Sequence, residues 1–562
     1  MNKILTIAAL ALVLSACSNE DNDIQTPVEQ PAKSESEGIP FTATISIGES
    51  AMTRALTEDA TNNQIVPTWV AGEKVALIHN GVNDEMSVAS VSGGVATITG
   101  TITGSPTTGD PVTIIYPATA ADGTTGNVKA NLLAAQDGTL ATIAANYDVR
   151  KGTGTLKVSD TASLNGNVSL TNQFAIWKLT LGNAAKNLCI MADNMTIAGA
   201  TLATAGTQFY VAVPAVSSKT ITIVANDESN NCSYYSKAGV SLTKGYYYQS
   251  SPSMTTLDTD GSKDVFKIAG TVSSNVTIPD GKTVVLSDVT MSNNSITCSG
   301  NANIILMGSN TVSAASSSYL PAIQIGGTGT TLTIQGSGSL TAIGSAYASG
   351  IGTGWAKGAT VTGGNIIINV GTITATGGER AAGIGTGNAY IGSNECGAIT
   401  ITGGTVNATA GTNGAGIGTG RVNGGGANTC GAITITGGTV IATGDNGGAG
   451  IGTGNATSAT GTTGSNTCGD ISIAADVTSV TATKGSGSPN SIGKGNISFI
   501  GGTVSQNCGT ITFGTAQVFD GTAATGTWTP NPMVADTYGG LNLAISTTTT
   551  TDDTWILTPV AP

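Results

Sequence analysis

A short glycine-rich phrase that recurs at a fixed interval constrains this chain more than any other feature. Gly-Ile-Gly-Thr-Gly occurs at residues 350–354, 383–387, 416–420 and 450–454, so the copies start 33, 33 and 34 residues apart. A weaker copy stands at 491–495, and the phrase from Cys396 to Val406 returns almost unchanged from Cys430 to Val440. A repeat of this length predicts a solenoid, in which each unit buries its apolar face against its neighbours.

Aligning the copies places aliphatic residues in columns. Within each unit they alternate with Thr, Ser or Asn, which predicts strands with one buried face. The columns are Ile366, Ile399, Ile433 and Ile471; Ile368, Ile401, Ile435 and Ile473; Leu340, Ile373, Val406 and Val440; Ala342, Ala375, Ala408 and Ala442; and Ile351, Ile384, Ile417 and Ile451. Many glycines disfavour a helix, and glycine pairs can adopt positive φ at corners. We therefore predict three strands per coil of a parallel β-helix.

Weaker units extend the predicted β-helix on both sides of the regular repeats. They lie near residues 284–286, 304–306, 332–334, 497–499 and 511–513, and they bring the expected total to about nine coils. The glycine phrase is not typical of a nucleotide-binding loop, because such a loop occurs once, opens a helix and usually carries a Lys-Ser/Thr pair. Periodic copies are instead expected to be corners of the coil.

Composition agrees with an all-β protein and excludes one class of partner. The 562 residues include 79 glycines, and only 10% are charged, which is typical of strands joined by many tight turns. The formal charge is -13, with 21 basic residues and no basic cluster. Nucleic acid is therefore not expected as a partner, because its phosphates need a positive footprint. The length predicts several domains.

The N terminus reads as an export signal. Lys3 precedes a short apolar run at residues 4–14, which is too short to span a bilayer as a permanent helix. The run ends in Leu-Ser-Ala-Cys, which resembles the lipobox of bacterial lipoproteins and implies acylation of Cys17. The acidic stretch at 18–23 resembles the signal that sends some lipoproteins to the outer face of the outer membrane. Residues 18–38 are rich in Glu, Asp, Pro and Ser and are expected to form a flexible tether.

Residues 39–255 resemble the fimbrillin-like lipoproteins. Short alternating runs separated by turn residues predict β-sandwiches, and several phrases carry the family likeness. These are Thr53-Arg54-Ala55, Trp69 to Leu77, Ile115-Tyr116-Pro117, Gln173 to Leu179, Tyr210 to Pro214 and Lys244 to Tyr248. The resemblance implies two transthyretin-like sandwiches, at 39–160 and 161–255. We expect a right-handed parallel β-helix at 256–520 and a C-terminal β cap at 521–562.

The same resemblance implies how the protein assembles. Family members are pilus subunits, pilus tips or stand-alone surface lipoproteins. In polymerising members, cleavage after an arginine frees a groove that accepts a strand from the next subunit. Arg54 matches that position, and an ordinary exposed arginine is the alternative. Some 300 residues follow the second sandwich here, which favours a tip or a non-polymerising surface protein over a shaft subunit.

Cysteines and carboxylates supply three candidate metal or redox sites. Eight cysteines minus the acylated Cys17 leave seven, so at least one has no partner within the chain. The candidates are Cys189 with Cys232 as a disulfide, and a column of Cys396, Cys430, Cys468 and Cys508 as a metal site, a disulfide staircase or stacked buried thiols. Zinc favours CxxC spacing and histidine, and the single histidine, His79, lies in another domain. The third candidate, Asp258, Asp260 and Asp264, is either a calcium site or a polar linker turn.

Binding is expected more than catalysis. The β-helix is also the fold of pectate lyases and polygalacturonases, whose chemistry needs clustered carboxylates or calcium with a basic residue. Charges between residues 265 and 520 are scarce and scattered. Tyr347, Trp355 and Tyr390 could stack on sugars, or they could cover coil ends. Outward threonines such as Thr400 could form an ice-binding array or an ordinary strand surface.

The sequence therefore predicts a non-enzymatic, lipid-anchored adhesin or fimbrial tip-like protein on the cell surface. Its expected partners are the outer membrane, a host or microbial glycan or protein, and other fimbrial subunits by strand exchange. The alternative is a polysaccharide-binding or polysaccharide-degrading surface lipoprotein. No cofactor is expected apart from the candidate calcium ion.

Overall fold

Strands form most of the regular structure of the chain, which confirms the all-β class. The computed structural model describes residues 38–47, 57–59, 64–66, 69–129, 132–133, 136–193, 195–522, 527–529, 533–549 and 552–560. Three short helical segments interrupt the strands, at Ala118–Ala120, Leu140–Thr142 and Ile143–Tyr147. No helix within the described ranges has the length and apolar character needed to cross a membrane.

The first domain is a sheet that closes on itself. Its strands are Ile39–Ile47, Lys74–His79, Val82–Ser92, Val95–Ile102, Pro111–Tyr116, Arg150–Val158, Ala162–Leu164 and Val168–Asn172. The last two strands run parallel to Ile39–Ile47 and antiparallel to Arg150–Val158, and so join the two edges of the sheet. A separate hairpin pairs Thr57–Asp59 with Gln64–Val66. The domain boundary predicted at residue 160 therefore falls inside this sheet, where Leu164 and Leu170 are buried in its core.

The second domain is built on a long antiparallel hairpin. Its strands are Ala175–Ala192, Met195–Val213, Val216–Asn226, Cys232–Leu242, Tyr247–Ser250 and Thr255–Thr256. Ile143 and Tyr147, from the helical segment that precedes it in the chain, pack into this second core. The two N-terminal domains thus exchange segments across the predicted boundary, because Leu133, Leu140, Ile143 and Tyr147 pack into the second core.

The remaining chain winds as the predicted β-helix, and two strand columns form its largest sheet. The first column contains the start of Lys282–Ser292, then Ala302–Met307, Thr331–Gly336, Asn365–Ile368, Ile399–Ile401, Ile433–Ile435, Ile471–Ile473 and Ile511–Phe513. The second contains the end of Lys282–Ser292, then Ser309–Ser313, Ser339–Ile343, Thr372–Thr376, Thr405–Thr409, Thr439–Thr443 and Ser479–Thr483. Val265–Thr271 begins the sheet. All pairings within these columns are parallel.

Three smaller columns complete the coils. The glycine–isoleucine column contains Val276–Ile278, Ile296–Cys298, Ile323–Gln324, Ile351–Gly352, Ile384–Gly385, Ile417–Gly418, Ile451–Gly452 and Ile492–Gly493. A fourth column contains Ala356–Lys357, Ala389–Tyr390, Val422–Asn423, Ala456–Ala459 and Ile497–Ile500. The fifth contains Val361–Thr362, Ser393–Cys396, Ala427–Cys430, Thr463–Cys468 and Thr503–Cys508.

The predicted aliphatic columns are confirmed residue by residue. Ile399 pairs with Ile433, Val406 with Val440 and Ile417 with Ile451, and all of these side chains are fully buried. The coil itself differs from the prediction, because the regular units have five strands and not three. Residues 497–499 belong to the fourth column, beside Ala456–Ala459, and do not begin a coil of their own.

Glycine recurs because successive coils approach too closely for a side chain. The second glycine of each Gly-Ile-Gly-Thr-Gly copy adopts φ between +129° and +139°, at Gly352, Gly385, Gly418 and Gly452. A Cβ added to Gly418 would overlap the carbonyl oxygen of Gly452 in the next coil. A Cβ added to Gly385 would overlap the carbonyl oxygen of Gly418 in the same way. Both the backbone conformation and the space therefore require glycine at this column.

The first coils are covered on the outside by the second domain. Val285, Ile305 and Met307 point outward from the first column and pack against Cys189 and Met191. The fully buried Gln335 accepts a hydrogen bond from the backbone N–H of Thr196 at 2.9 Å. In later coils the equivalent positions, which follow Ile368, Ile401 and Ile435, hold Asn369, Thr402 and Thr436, all of them polar. The outward face is thus apolar where the second domain docks and polar where it does not.

The last described strands close the far end of the solenoid. They are Ala516–Asp520, Thr527–Trp528, Asp536–Tyr538, Leu541–Thr549 and Asp552–Pro559. The final strand runs antiparallel to Ser479–Thr483, and Leu541, Trp555 and Leu557 pack into the solenoid core. These side chains keep water away from the last apolar layer, which an open coil would expose.

Replacing Gly418 by alanine tests the close approach of the coils. Gly358 is the matched control, because it also has positive φ but an added Cβ there meets no atom within 4 Å. We expect Gly358→Ala to cost about 1–2 kcal/mol of unfolding free energy from backbone strain alone. Gly418→Ala should cost more than about 3 kcal/mol, since backbone must also move. Urea unfolding followed by circular dichroism measures both, and equal shifts would contradict the close-approach argument.

Candidate functional site

Three aromatic rings meet at one corner of the solenoid. The ring centroids of Tyr347 and Trp355 lie 4.8 Å apart, those of Tyr319 and Trp355 lie 4.7 Å apart, and Tyr319 stacks on Tyr347 at 6.0 Å. Tyr319 is 42% exposed, and the other two rings are partly exposed. We call Tyr319, Tyr347 and Trp355 the ring cluster. The sequence predicted two of its members and missed Tyr319, which precedes the first copy of the glycine phrase.

The corner that carries the ring cluster recurs from coil to coil. One residue per coil adopts left-handed backbone, and its carbonyl accepts a hydrogen bond from the N–H that follows the glycine phrase in the next coil. The pairs are Tyr319 with Trp355, Tyr347 with Asn388, Arg380 with Arg421, and Asn413 with Asn455, at 2.8–3.3 Å. We call Tyr319, Tyr347, Arg380 and Asn413 the corner ladder. The coil geometry fixes this conformation and leaves the side chain free to differ.

The residues of the corner ladder differ in how readily they adopt left-handed backbone. Asn413 adopts φ of 73°, a conformation that asparagine tolerates better than most residues. Tyr319, Tyr347 and Arg380 hold φ of 57°, 64° and 66°, which costs each of them on the order of 1 kcal/mol or more. Residues held in an unfavourable conformation point to a function at that place. The three costly residues are the ones that build or flank the ring cluster.

Trp355 is fixed in place by a buried amide. Asn388, one coil further on, is almost fully buried. With its amide turned so that both ends are satisfied, its oxygen accepts a hydrogen bond from Trp355 Nε1 at 3.1 Å, and its nitrogen donates to the Arg421 carbonyl at 2.9 Å. The indole therefore has little freedom to rotate, and the ring cluster is organised before any ligand arrives.

Two cations lie over the rings, and a third lies next to one of them. Lys357 Nζ lies 4.9 Å from the Trp355 centroid, and the Arg380 guanidinium lies 5.2 Å from the Tyr347 centroid. Arg380 also pairs with Glu379 at 3.1 Å. Arg421 is half-buried next to Arg380, and burial, followed by the charge of Arg380, lowers the pKa of Arg421 from its ordinary value. The ring cluster therefore carries more positive than negative charge.

Tyr390 lies beside the ring cluster and not within it. It stands in the fourth column, paired with Lys357 in the coil before and with Asn423 in the coil after, and it is 37% exposed. Of the three predicted aromatics, the structure thus brings Tyr347 and Trp355 together and places Tyr390 one coil away, beside Lys357, which lies over Trp355.

The three candidate calcium ligands point to different partners. Asp258 pairs with Lys263 at 2.8 Å, and Asp264 pairs with Lys282 at 2.9 Å. Asp260 accepts a hydrogen bond from the backbone N–H of Ser262. In the described part of the chain, no three His, Cys, Asp or Glu residues are gathered as a metal site would require. The arrangement is that of a polar turn joining the second domain to the solenoid.

The seven described cysteines are buried free thiols. Cys189 and Cys232 lie in one apolar cluster without a bond between them. Burial raises the pKa of Cys189 to about 11 and that of Cys298 to about 12. Cys396, Cys430, Cys468 and Cys508 stack in register along the fifth column, as the repeat predicted. These four thiols are enclosed in the apolar core of the solenoid, where buried cysteines are unreactive. Cys17 and Arg54 lie outside the described residues.

Comparison with known proteins supports the solenoid. The β-helix repeat family matches residues 366–388, 399–421 and 433–455, which are three of the regular coils. No curated protein matches the chain.

Solved structures resemble the chain only weakly. A fimbrial protein from Bacteroides ovatus is 12% identical with a TM-score of 0.22, over 38% of this chain and 48% of that one. Proteins described as a "putative cell adhesion protein", from Bacteroides uniformis and Bacteroides fragilis, are 11% and 10% identical with TM-scores of 0.22 and 0.23, each over 39% of this chain and 97% of theirs. At such low scores no conclusion on fold or function depends on them.

Replacing Tyr347 by asparagine tests how much folding free energy the left-handed backbone at this tyrosine costs. Asparagine relieves left-handed strain at a corner where Asn413 already stands, but it also removes packing against two rings. Because the rings are partly exposed, we expect the folded state to lose less than about 0.5 kcal/mol or to gain up to about 1 kcal/mol. Tyr347→Ala, which keeps most of the strain, is the comparison variant. Thermal unfolding should rank asparagine above alanine, and the reverse order would contradict the argument.

Proposed function

We propose that this chain is a lipid-anchored surface protein that binds glycans through the ring cluster and does not cleave them. The observation that carries the proposal is a partly exposed cluster of three rings on a rigid solenoid, two of which, Tyr319 and Tyr347, are held in costly backbone conformations. Aromatic faces pack against the C–H groups of sugar rings, and a preorganised stack loses little entropy on binding. Adhesion to host or microbial surfaces is the role that such binding serves.

The charges near the rings favour binding over hydrolysis. Glycoside hydrolysis commonly needs two carboxyl groups that flank one bond. Among the described residues, Glu379 supplies the carboxylate next to the ring cluster, and it is paired with Arg380. The distribution of charge is therefore suited to holding a saccharide in place.

Anchoring and assembly belong to the same proposal. Acylation of Cys17 would hold the protein at the outer membrane, since each buried lipid methylene contributes about 0.8 kcal/mol. Cleavage after Arg54 would release strand Ile39–Ile47, whose Phe41 and Ile45 are buried in the first core. The freed edge of Val95–Ile102 could then accept a strand from another fimbrial subunit. A protein that keeps this strand would act as a tip or as a stand-alone adhesin.

A glycan array tests the binding site. Trp355→Ala should weaken binding of the array ligands at least about tenfold, or ~1.4 kcal/mol, because it removes the ring that contacts both others. Tyr246→Ala is the matched control, since Tyr246 is 61% exposed in the second domain and lies outside the ring cluster. Equal loss in both variants, or no glycan bound by the parent chain, would contradict the proposal. Release of reducing sugar from any bound polymer would show an enzyme instead.

Mass spectrometry of the protein isolated from its own membrane tests anchoring and cleavage together. We expect a first residue at Cys17 that carries acyl chains, and loss of the acyl mass and of membrane association in Cys17→Ser. A mature chain that begins at Ala55 would instead show processing after Arg54. An unmodified N terminus that retains residues 1–16 would contradict the lipoprotein assignment.

A further inference from the structure

We propose that the ligand of the ring cluster is an anionic polysaccharide, one that carries carboxylate or sulfate groups. This inference rests on the proposed function and adds the chemical class of the ligand. It comes from the distribution of charge in the solenoid, where residues 283–483 contain no basic residue other than the three at or beside the rings.

Three of the seven basic residues of the solenoid lie at or beside the ring cluster. Between residues 265 and 520 the sequence contains seven basic residues, at positions 267, 282, 357, 380, 421, 484 and 494. Three of these seven, Lys357, Arg380 and Arg421, lie at or beside the rings, although the whole chain has a formal charge of -13. A positive patch on an acidic protein attracts an anion at short range, although the net negative charge of the protein repels it at long range.

These cations are not fully neutralised by the protein. Within the described structure, Lys357 and Arg421 have no carboxylate at ion-pair distance, and Glu379 pairs with Arg380 alone. Arg421 donates through Nη2 to Thr457 Oγ1 at 3.2 Å, while its buried Nε has no partner. The charges that act on Arg421 are those of Arg380, which is repulsive, and Glu379. Two neighbouring arginines with one carboxylate leave capacity for an acidic group of a ligand.

The geometry joins the two kinds of recognition. Lys357 lies over Trp355 and Arg380 over Tyr347, so each cation stands next to a ring face. A sugar stacked on the rings would bring its acidic substituent to within reach of one of these groups. The rings recognise the sugar face, and the cations select sugars that carry negative charge.

Dextran and its derivatives test the inference, because the backbone stays the same while the charge changes. The full chain is titrated with dextran, carboxymethyl dextran and dextran sulfate. We expect the charged polymers to bind at least about tenfold more tightly than dextran, with affinity that falls as salt rises from roughly 50 to 500 mM. The carboxymethyl and sulfate arms distinguish which acidic group is preferred.

Paired substitutions separate a local site from a general charge effect. The double variant that combines Lys357→Gln and Arg380→Gln should bind the preferred polymer at least about tenfold more weakly. Lys157→Gln with Lys237→Gln changes the net charge equally at exposed positions of the first two domains and should change affinity less than about twofold. Binding of neutral dextran as tight as its charged forms, no binding of any charged form, or equal losses in both double variants would overturn the inference.

The outcome also distinguishes this inference from the proposed function. If Trp355→Ala abolishes glycan binding on the array while the Lys357 and Arg380 substitutions leave it unchanged, the ring cluster binds glycans and the anionic class is wrong. If the array shows no glycan binding at all, the proposed function fails as well.

Discussion

The close stacking of coils at the glycine column is the constraint on which the solenoid depends. Parallel strands lie about 4.8 Å apart, and at Gly385, Gly418 and Gly452 the neighbouring backbone occupies the space that a Cβ would need. Any slip of register would bring a side chain into that space and would also move isoleucines such as Ile417 off their column. The glycines and the isoleucines thus specify the same register independently, and the 33-residue period follows from it.

A buried polar ladder next to the glycine column supports the same register. Threonine of the glycine phrase is buried in each regular coil, and its hydroxyl accepts a backbone N–H of the next coil, as Thr386 does from Gly420 and Thr419 from Gly454, both at 3.0 Å. Fully buried amides add to it, since Asn394 donates to the carbonyl of Gly354 at 2.7 Å. Directional bonds in a dry interior penalise a misplaced coil more than apolar packing alone does. The threonine of the repeat is therefore a structural residue, a role that its position in a turn-like phrase did not reveal.

The sequence predicted the structural features that repeat at a fixed period, and it missed those that depend on pairing between residues far apart in the chain. The columns of Ile399 and Val406 could be aligned because each coil repeats the last. Strands of two residues, such as Ala356–Lys357, contain no alternation and could not be seen. Closure of the first sheet depends on Phe41 meeting Ala162, more than a hundred residues away, and no local pattern encodes that contact. Tyr319 was missed for a related reason, since it lies 28 residues before Tyr347 in a coil that lacks the glycine phrase.

The candidate site lies at the coil corners where the backbone must be left-handed but the residue present is not one that adopts this conformation at low cost. Every regular coil needs a left-handed residue at the corner, and asparagine at position 413 meets that need at low cost. Tyrosine and arginine at positions 347 and 380 meet it at higher cost, and their side chains add rings and positive charge at one place on the solenoid. A fold that repeats one geometry in every coil can thus change its surface at a single corner while its core stays the same. Stability alone would favour asparagine at both positions, and a bound ligand is what would favour the residues that are there.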